Sequence, residues 1–351
     1  MIRAPGFRSR ALSRGCLAVL LLAAVCGAQA AGIRAVWDQK GTGLYPGDWP
    51  RTFRLLKAAG MTDVFVTAGG VDFAHYATRL APPSRACRLY GDQMSACLNA
   101  ARGTGIRVHA WVLCFNATRP TPEQQQTFAR KGWYLKDPGG KTLTYLDPSN
   151  PDLRWTLLKI AEELATRYPL AGIHLDFVRW YERTDVAWAT PAVRARFRSE
   201  VKQATEAAFP AWRTAKIASF VSAARGRVKA ARPSAWLTVA VLGKYPSCVA
   251  AVGQDWPAWL DADLVDYIVP MNYTDDYSKY VSFVAVQARK PAHARQTISG
   301  IGITANGLSL TPQAVAAQTR AAEKAGLAGA AYFDLDERFL TLFKNSPRLF
   351  R

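Results

Sequence analysis

The stretch Gly172-Ile173-His174-Leu175-Asp176-Phe177-Val178-Arg179-Trp180-Tyr181 holds the key to this chain. It opens as a short β-strand, expected from Ala171 to Phe177, in which His174 and Asp176 alternate with the apolar Ile173 and Leu175. A long helix is expected just before it, from Pro151 to Tyr168, with proline in the first turn, where a missing N–H costs nothing. An interrupted helical region from Pro191 to Ala231 follows it. The stretch is therefore one strand of a strand–helix unit that carries a carboxylate at its C-terminal end.

The same unit recurs on both sides. Further strands are predicted at Gly32–Asp38, Asp63–Thr67, Ile106–Leu113, Trp236–Leu242, Leu264–Met271, Thr297–Ile303 and Ala328–Asp334. Helices are predicted at Trp49–Gly60, Asp92–Thr104, from Trp256, at Tyr280–Arg289 and at Pro312–Ala325. Strands that alternate with helices build a parallel sheet. Eight units without a glycine-rich phosphate loop favour a closed (β/α)8 TIM barrel over an open nucleotide-binding sheet. The segment from Asn116 to Asn150, rich in Pro, Gly and polar residues, is expected to be a loop on the catalytic face.

The totals agree with one large domain. The chain has 351 residues, half of them hydrophobic. Residues 1–30 read as a cleavable signal peptide: Arg3, Arg8, Arg10 and Arg14 precede a short apolar run, and Ala28-Gln29-Ala30 has the small-x-small pattern of a cleavage site. The barrel is then residues 31–351, and the expected address is periplasmic or secreted. No segment is apolar enough for a membrane span. Cleavage removes four arginines and no acid, which lowers the net charge from +19 to +15. Such a surface attracts anionic partners. Nucleic acid is not expected, because no recognition motif accompanies the charge. Cys87, Cys97, Cys114 and Cys248 remain after cleavage. Disulfides Cys87–Cys97 and Cys114–Cys248 are the favoured pairing in an oxidising compartment. No metal site or cofactor is expected, since no Cys and His spacing fits one.

In barrel enzymes the working residues sit at the C-terminal ends of strands. Here those ends carry Trp37 and Asp38; His109 and Trp111; His174, Asp176 and Arg179; Asn272, Tyr273, Asp275 and Asp276; and Asp334, Asp336 and Glu337. Carboxylates, flat rings and an arginine on one face suit sugar chemistry, because glycosidic cleavage needs one carboxyl to protonate the leaving oxygen and another to attack or to activate water. The catalytic candidates are Asp176, Asp275 and Asp255. Arg179 is expected to keep Asp176 ionised. Substrate contacts are expected from Trp37, Asp38, His109, Trp111, His174, Arg179, Asn272, Tyr273, Asp334 and Asp336. Several have plainer roles open to them: Asp255, Asp275, Asp276 and Asp336 stand at helix starts, where aspartate caps, and His109 and His174 suit hydrogen-bonded positions inside a barrel.

These strand ends resemble glycosyl-hydrolase-like family 10, a group of bacterial exported barrels. The fourth strand is similar to the family's DGIHLDYIRYP, with Ala171, Phe177 and Tyr181 departing from it. Val265-Asp266-Tyr267-Ile268-Val269-Pro270-Met271-Asn272-Tyr273 resembles VDYIVPMxY, and Ile106 to Trp111 resembles GIxVHAW. Gln254-Asp255-Trp256 and Trp212-Arg213 fit as well. The resemblance implies a barrel glycosidase, with some relatives acting on bacterial cell-wall glycan, and Asp176 as the central acid. Val178, two residues after Asp176, differs from the Asp-x-Glu ending of substrate-assisted chitinases. The expected activity is hydrolysis of O-glycosyl bonds in a cell-wall or extracellular polysaccharide. The expected partner is that polysaccharide, with an anionic glycan or peptidoglycan as leading forms. The rival reading is a non-catalytic glycan-binding barrel.

Overall fold

The computed structural model describes residues 32–182, 184–187 and 189–350. The leader read at residues 1–30 lies outside the described residues. Ten strands run in chain order: β1 Ile33–Asp38, β2 Asp63–Gly69, β3 Arg107–Leu113, β4 Tyr134–Lys136, β5 Thr142–Leu146, β6 Gly172–Asp176, β7 Trp236–Leu242, β8 Tyr267–Met271, β9 Ile298–Gly302 and β10 Gly329–Phe333. Eight of them close into a parallel barrel in the order β1-β10-β9-β8-β7-β6-β3-β2, with helices in the connections. This is the (β/α)8 barrel that the alternation predicted.

The two-residue period of each strand sorts side chains between two cores. Val64, Val66, Val108, Val112, Ile173, Leu175, Val239 and Val241 join the large core shared with the helices. Ala35, Trp37, Phe65, Trp111, Val269, Ile298 and Ala331 form a second cluster inside the ring. In the decisive strand this puts Ile173 and Leu175 under the helices, while His174 and Asp176 face the interior and its mouth.

Several polar groups inside the ring are paired with one another, which offsets the cost of burying them. The Trp37 indole N–H donates to His174 Nε2 at 3.0 Å, and His174 Nδ1 lies 2.8 Å from Thr238 Oγ1. An indole only donates, so His174 Nε2 is the acceptor and the ring proton sits on Nδ1, facing Thr238. Burial holds His174 well below its ordinary pKa, so it stays neutral. His109 binds Asp63 at 2.8 Å, and Arg107 makes two hydrogen bonds to the same carboxylate at 2.8 and 2.7 Å. Both histidines, expected at the substrate, are fully buried and spent on barrel contacts. Gly172 makes room for this arrangement: a Cβ there would lie 2.5 Å from the Trp236 carbonyl oxygen and 2.6 Å from His109 Nδ1.

Two expectations need correcting. Cys87, Cys97, Cys114 and Cys248 are all free thiols. Cys97 is buried in the helix-side core, while Cys114 and Cys248 point at local carbonyls, Val112 O and Gln254 O, at 3.8 and 3.3 Å. Each sulfur has a separate local environment, so neither pair meets. The segment after β3 is also more ordered than a loop. It contains a helix, Pro122–Arg130, and the antiparallel hairpin β4–β5. Thr121 and Gln124 form a reciprocal capping box with proline at the start of that helix.

Asp63 links three polar groups low in the ring. Burial opposes its ionisation, but hydrogen bonds from His109 and Arg107 outweigh burial and hold its pKa below the ordinary value. Its contribution to stability is therefore present above the unfolded carboxyl pKa and is lost as pH falls through the folded one. Asp63→Ala, which leaves His109 buried without its partner, is expected to cost about 3–5 kcal/mol, measured by urea unfolding at neutral pH. A change below about 1 kcal/mol would assign the cluster no structural weight.

Candidate active site

A cleft of about 470 Å³ opens at the C-terminal mouth of the barrel. Its lining includes Trp37, Trp111, Asp176, Phe177, Arg179, Tyr273 and Phe333, with Asn116 and Arg119 from the segment after β3 and Thr304 and Asn306 from the loop after β9. The rings of Trp37, Tyr273 and Phe333 touch one another, with centroids 5.5–6.4 Å apart, and Trp111 lies 6.4 Å from Phe333. The glycines of β9 leave space for them. A Cβ on Gly300 would come within 3.1 Å of Trp37, and one on Gly302 within 2.9 Å of Tyr273.

Asp176 ends β6 and is the one carboxyl among the described residues that line the cleft. The next residue, Phe177, has φ of 53°, a left-handed conformation that is rare for a bulky side chain. Its turn brings the Phe177 N–H to 2.5 Å from Asp176 Oδ1. The chain then doubles back: Arg179 N donates to Phe177 O at 2.8 Å. The Arg179 guanidinium lies 4.3 Å over the Phe177 ring and 3.4 Å from Asp176 Oδ1. Tyr145 of the hairpin packs against Phe177 and Tyr181, so the segment after β3 braces this turn.

The net electrostatic result differs from expectation. Burial pushes the Asp176 pKa up, and this outweighs Arg179, the Phe177 N–H and the neighbouring Trp111 indole, which all favour the ionised form. The Trp111 N–H makes no hydrogen bond of good geometry. On balance burial thus raises the Asp176 pKa above the ordinary carboxyl value, and Arg179 limits that rise without reversing it.

The other predicted residues take varied places. Asp38 is fully buried and accepts hydrogen bonds from Gly41 N at 3.2 Å and Gly43 N at 2.7 Å, which shapes the turn after β1. Asn272 exchanges hydrogen bonds with Gln287 and donates to Ser299, all buried. Asp336 caps the helix Glu337–Asn345 through Phe339 N at 2.9 Å, and Asp276 caps Tyr277–Gln287 through Lys279 N at 3.0 Å. Asp275 is exposed and does not line the cleft. Asp255 lines a separate apolar groove with Tyr245 and Trp259. Asp334 stands just behind the cleft wall, where Thr304 Oγ1 donates to it at 3.0 Å. Its pKa is raised by burial and by Asp336. Tyr273, in the cleft wall, feels the charge of both Asp176 and Asp334.

Sequence reasoning missed Asn116, Arg119, Thr304 and Asn306. Their signal was positional: each follows closely on the end of a barrel strand. Asn116 Oδ1 is buried with no hydrogen-bond partner, while its Nδ2 donates to Thr144 Oγ1 at 3.4 Å.

The family described as glycosyl hydrolase-like 10 matches residues 85–308. No curated protein matches the sequence. Among solved structures, the glycoside hydrolase domain of PgaB (BpsB) from Bordetella bronchiseptica superposes with a TM-score of 0.69 at 16% identity, over 90% of this chain and 96% of that one. Alpha-L-fucosidase isoenzyme 2 from Paenibacillus thiaminolyticus gives 0.64 at 12%, over 91% and 48%. The catalytic domain of a beta-amylase from Paenibacillus polymyxa gives 0.61 at 11%, over 89% and 96%. At these identities the likeness shows the fold.

Asp38 makes a measurable mark on stability. Burial, opposed by the two glycine N–H groups, raises its pKa to about 7. The folded state then holds a proton that the unfolded chain has released, so this contribution is full below the unfolded pKa and is lost as pH rises through about 7. Unfolding free energy is expected to fall between about pH 4 and about pH 7, and Asp38→Asn is expected to flatten that slope. An unchanged slope in the variant would place the titration elsewhere.

Proposed function

Because this chain belongs to the glycosyl hydrolase-like 10 family, we propose that it hydrolyses O-glycosyl bonds of a cell-wall or other extracellular polysaccharide. The observation that carries this reading is the position of Asp176: a buried carboxyl with a raised pKa, at the mouth of the barrel, in a cleft walled by rings. Aromatic faces suit the C–H faces of sugars, and Asn116 adds a polar residue to the lining. The leader read at residues 1–30 supports export to the place where such polymers lie.

In this mechanism Asp176 is the general acid. It gives its proton to the leaving glycosidic oxygen as the bond to the anomeric carbon breaks. Arg179 and the Phe177 N–H then steady the carboxylate that remains. The second carboxyl is assigned to Asp334, which in its ionised form attacks the anomeric carbon or takes the proton of the water that does. Asp334 is tied to the cleft wall through Thr304, and Tyr273 interacts electrostatically with both acids. Asp275 and Asp255 do not open on the cleft and are not carried forward. A non-catalytic glycan-binding barrel is the second reading, favoured by the single carboxyl in the lining.

Asp176→Asn is expected to lower turnover by roughly a hundredfold to ten-thousandfold while polysaccharide binding persists, read by new reducing ends and by co-sedimentation with polymer. Asp334→Asn is expected to lower turnover as well. Activity of the unaltered protein should decline on the alkaline side, at a pH above the ordinary carboxyl range, as Asp176 loses its proton. Binding without turnover in the unaltered protein would select the glycan-binding reading.

A further inference from the structure

The cleft carries more positive charge than an acid catalyst needs. Arg179 is 9% exposed, and among the described residues the one hydrogen bond of its guanidinium is the 3.4 Å contact to Asp176. A guanidinium has five N–H donors in a fixed fork, and a buried cation with one long contact is poorly compensated. When Asp176 carries the proton it must donate, that partner is no longer an anion. Arg119, on the same lining, forms no ion pair among the described residues, and its guanidinium lies 5.1 Å over the Phe73 ring. Its backbone N–H is tied to the buried Asp72 at 2.8 Å, which anchors the residue at the rim. Arg179 follows β6 and Arg119 follows β3, and these strands are neighbours in the barrel. Both cations therefore stand on one side of the mouth. The opposite side, after β9 and β10, presents Thr304, Asn306 and Phe333, which carry no charge.

We propose that this side of the cleft is a subsite for a sugar bearing a carboxylate, with Arg119 and Arg179 as its recognition pair. The proposal rests on the glycan reading above and narrows it to acidic polysaccharides. Two planar forks held on aromatic rings match a carboxylate better than a hydroxyl, because N–H donors aimed at a planar anion make short, charge-assisted bonds. The net charge of +15 left once the leader read at residues 1–30 is removed adds long-range attraction for such a polymer.

The test pairs polymers that differ in the carboxylate. Polygalacturonate is compared with its carboxyl-reduced form, and peptide-stripped bacterial glycan strands, which carry a lactyl carboxylate, with chitin oligosaccharides, which do not. Binding is measured by calorimetry on the Asp176→Asn protein, and turnover on the unaltered protein. At least one carboxylated member is expected to bind about tenfold or more tightly than its neutral partner, with the preference shrinking as salt is added. Arg119→Met should remove most of that preference, and Arg119→Lys should restore part of it. Equal binding within both pairs, tighter binding of the neutral member, or no binding of either carboxylated polymer overturns the proposal. The two readings fail separately. Cleavage of a neutral polymer without preference keeps the hydrolase and discards the subsite. Arg119-dependent binding of a carboxylated polymer without new reducing ends keeps the subsite and discards the hydrolase.

Discussion

A closed ring of eight strands has an inside, and that inside must be filled. Here the filling is polar as well as aromatic: the chain of hydrogen bonds from Trp37 through His174 to Thr238 crosses the interior from β1 to β7. The ring stays closed only if each of these groups meets its partner, since an unpaired polar group there carries its full desolvation cost. His174 is neutral with its proton on Nδ1, so it can accept from Trp37 and still face Thr238 with its own N–H. The Trp37 ring that this bond orients is the same ring that forms one wall of the cleft. The barrel's internal bonding thus sets the angle of a surface that would meet the ligand.

The strand period carries the argument from the interior to the mouth. Along β6, Gly172, His174 and Asp176 face inward at successive heights. The first makes space for His109, the second holds Trp37, and the third reaches the cleft. Polar residues two apart on one strand therefore have different fates, decided by depth. The turn at Phe177 completes the site by spending backbone strain, with φ of 53° at a phenylalanine. That geometry lays its N–H on Asp176 and its ring beneath Arg179. Strain of this kind persists only where surrounding structure over-determines it. The hairpin β4–β5, with Tyr145 against Phe177, supplies part of that support.

Charge inside the cleft follows from the same depth. Burial raises Asp176 despite a neighbouring arginine, because the cost of an ion in a dry site exceeds what one contact at 3.4 Å returns. From the sequence, the Asp-x-x-Arg spacing suggested the opposite balance. The spacing was legible, but the dielectric around it was not.

The sequence by itself determined the barrel, the order of its strands and the place of Asp176 at a strand end, because these depend on local periodicity and on a two-residue alternation that any strand must obey. It also marked Asp276 and Asp336 as helix caps, since a cap is a contact between residues three apart, whereas Asp255, at another helix start, makes no side-chain cap. Only the tertiary structure decided which polar residues reach solvent. His109, His174, Asp38 and Asn272 looked like site residues by position, yet each bonds to a partner distant in sequence or to a turn of its own backbone. The same holds for the thiols: four cysteines permitted two bridges, and packing sent their sulfurs to separate surroundings. Arg119 and Asn116 entered the cleft for the converse reason. They lie in a segment whose place on the catalytic face was legible, but which of its side chains turn into the cleft depends on long-range packing that no local pattern encodes.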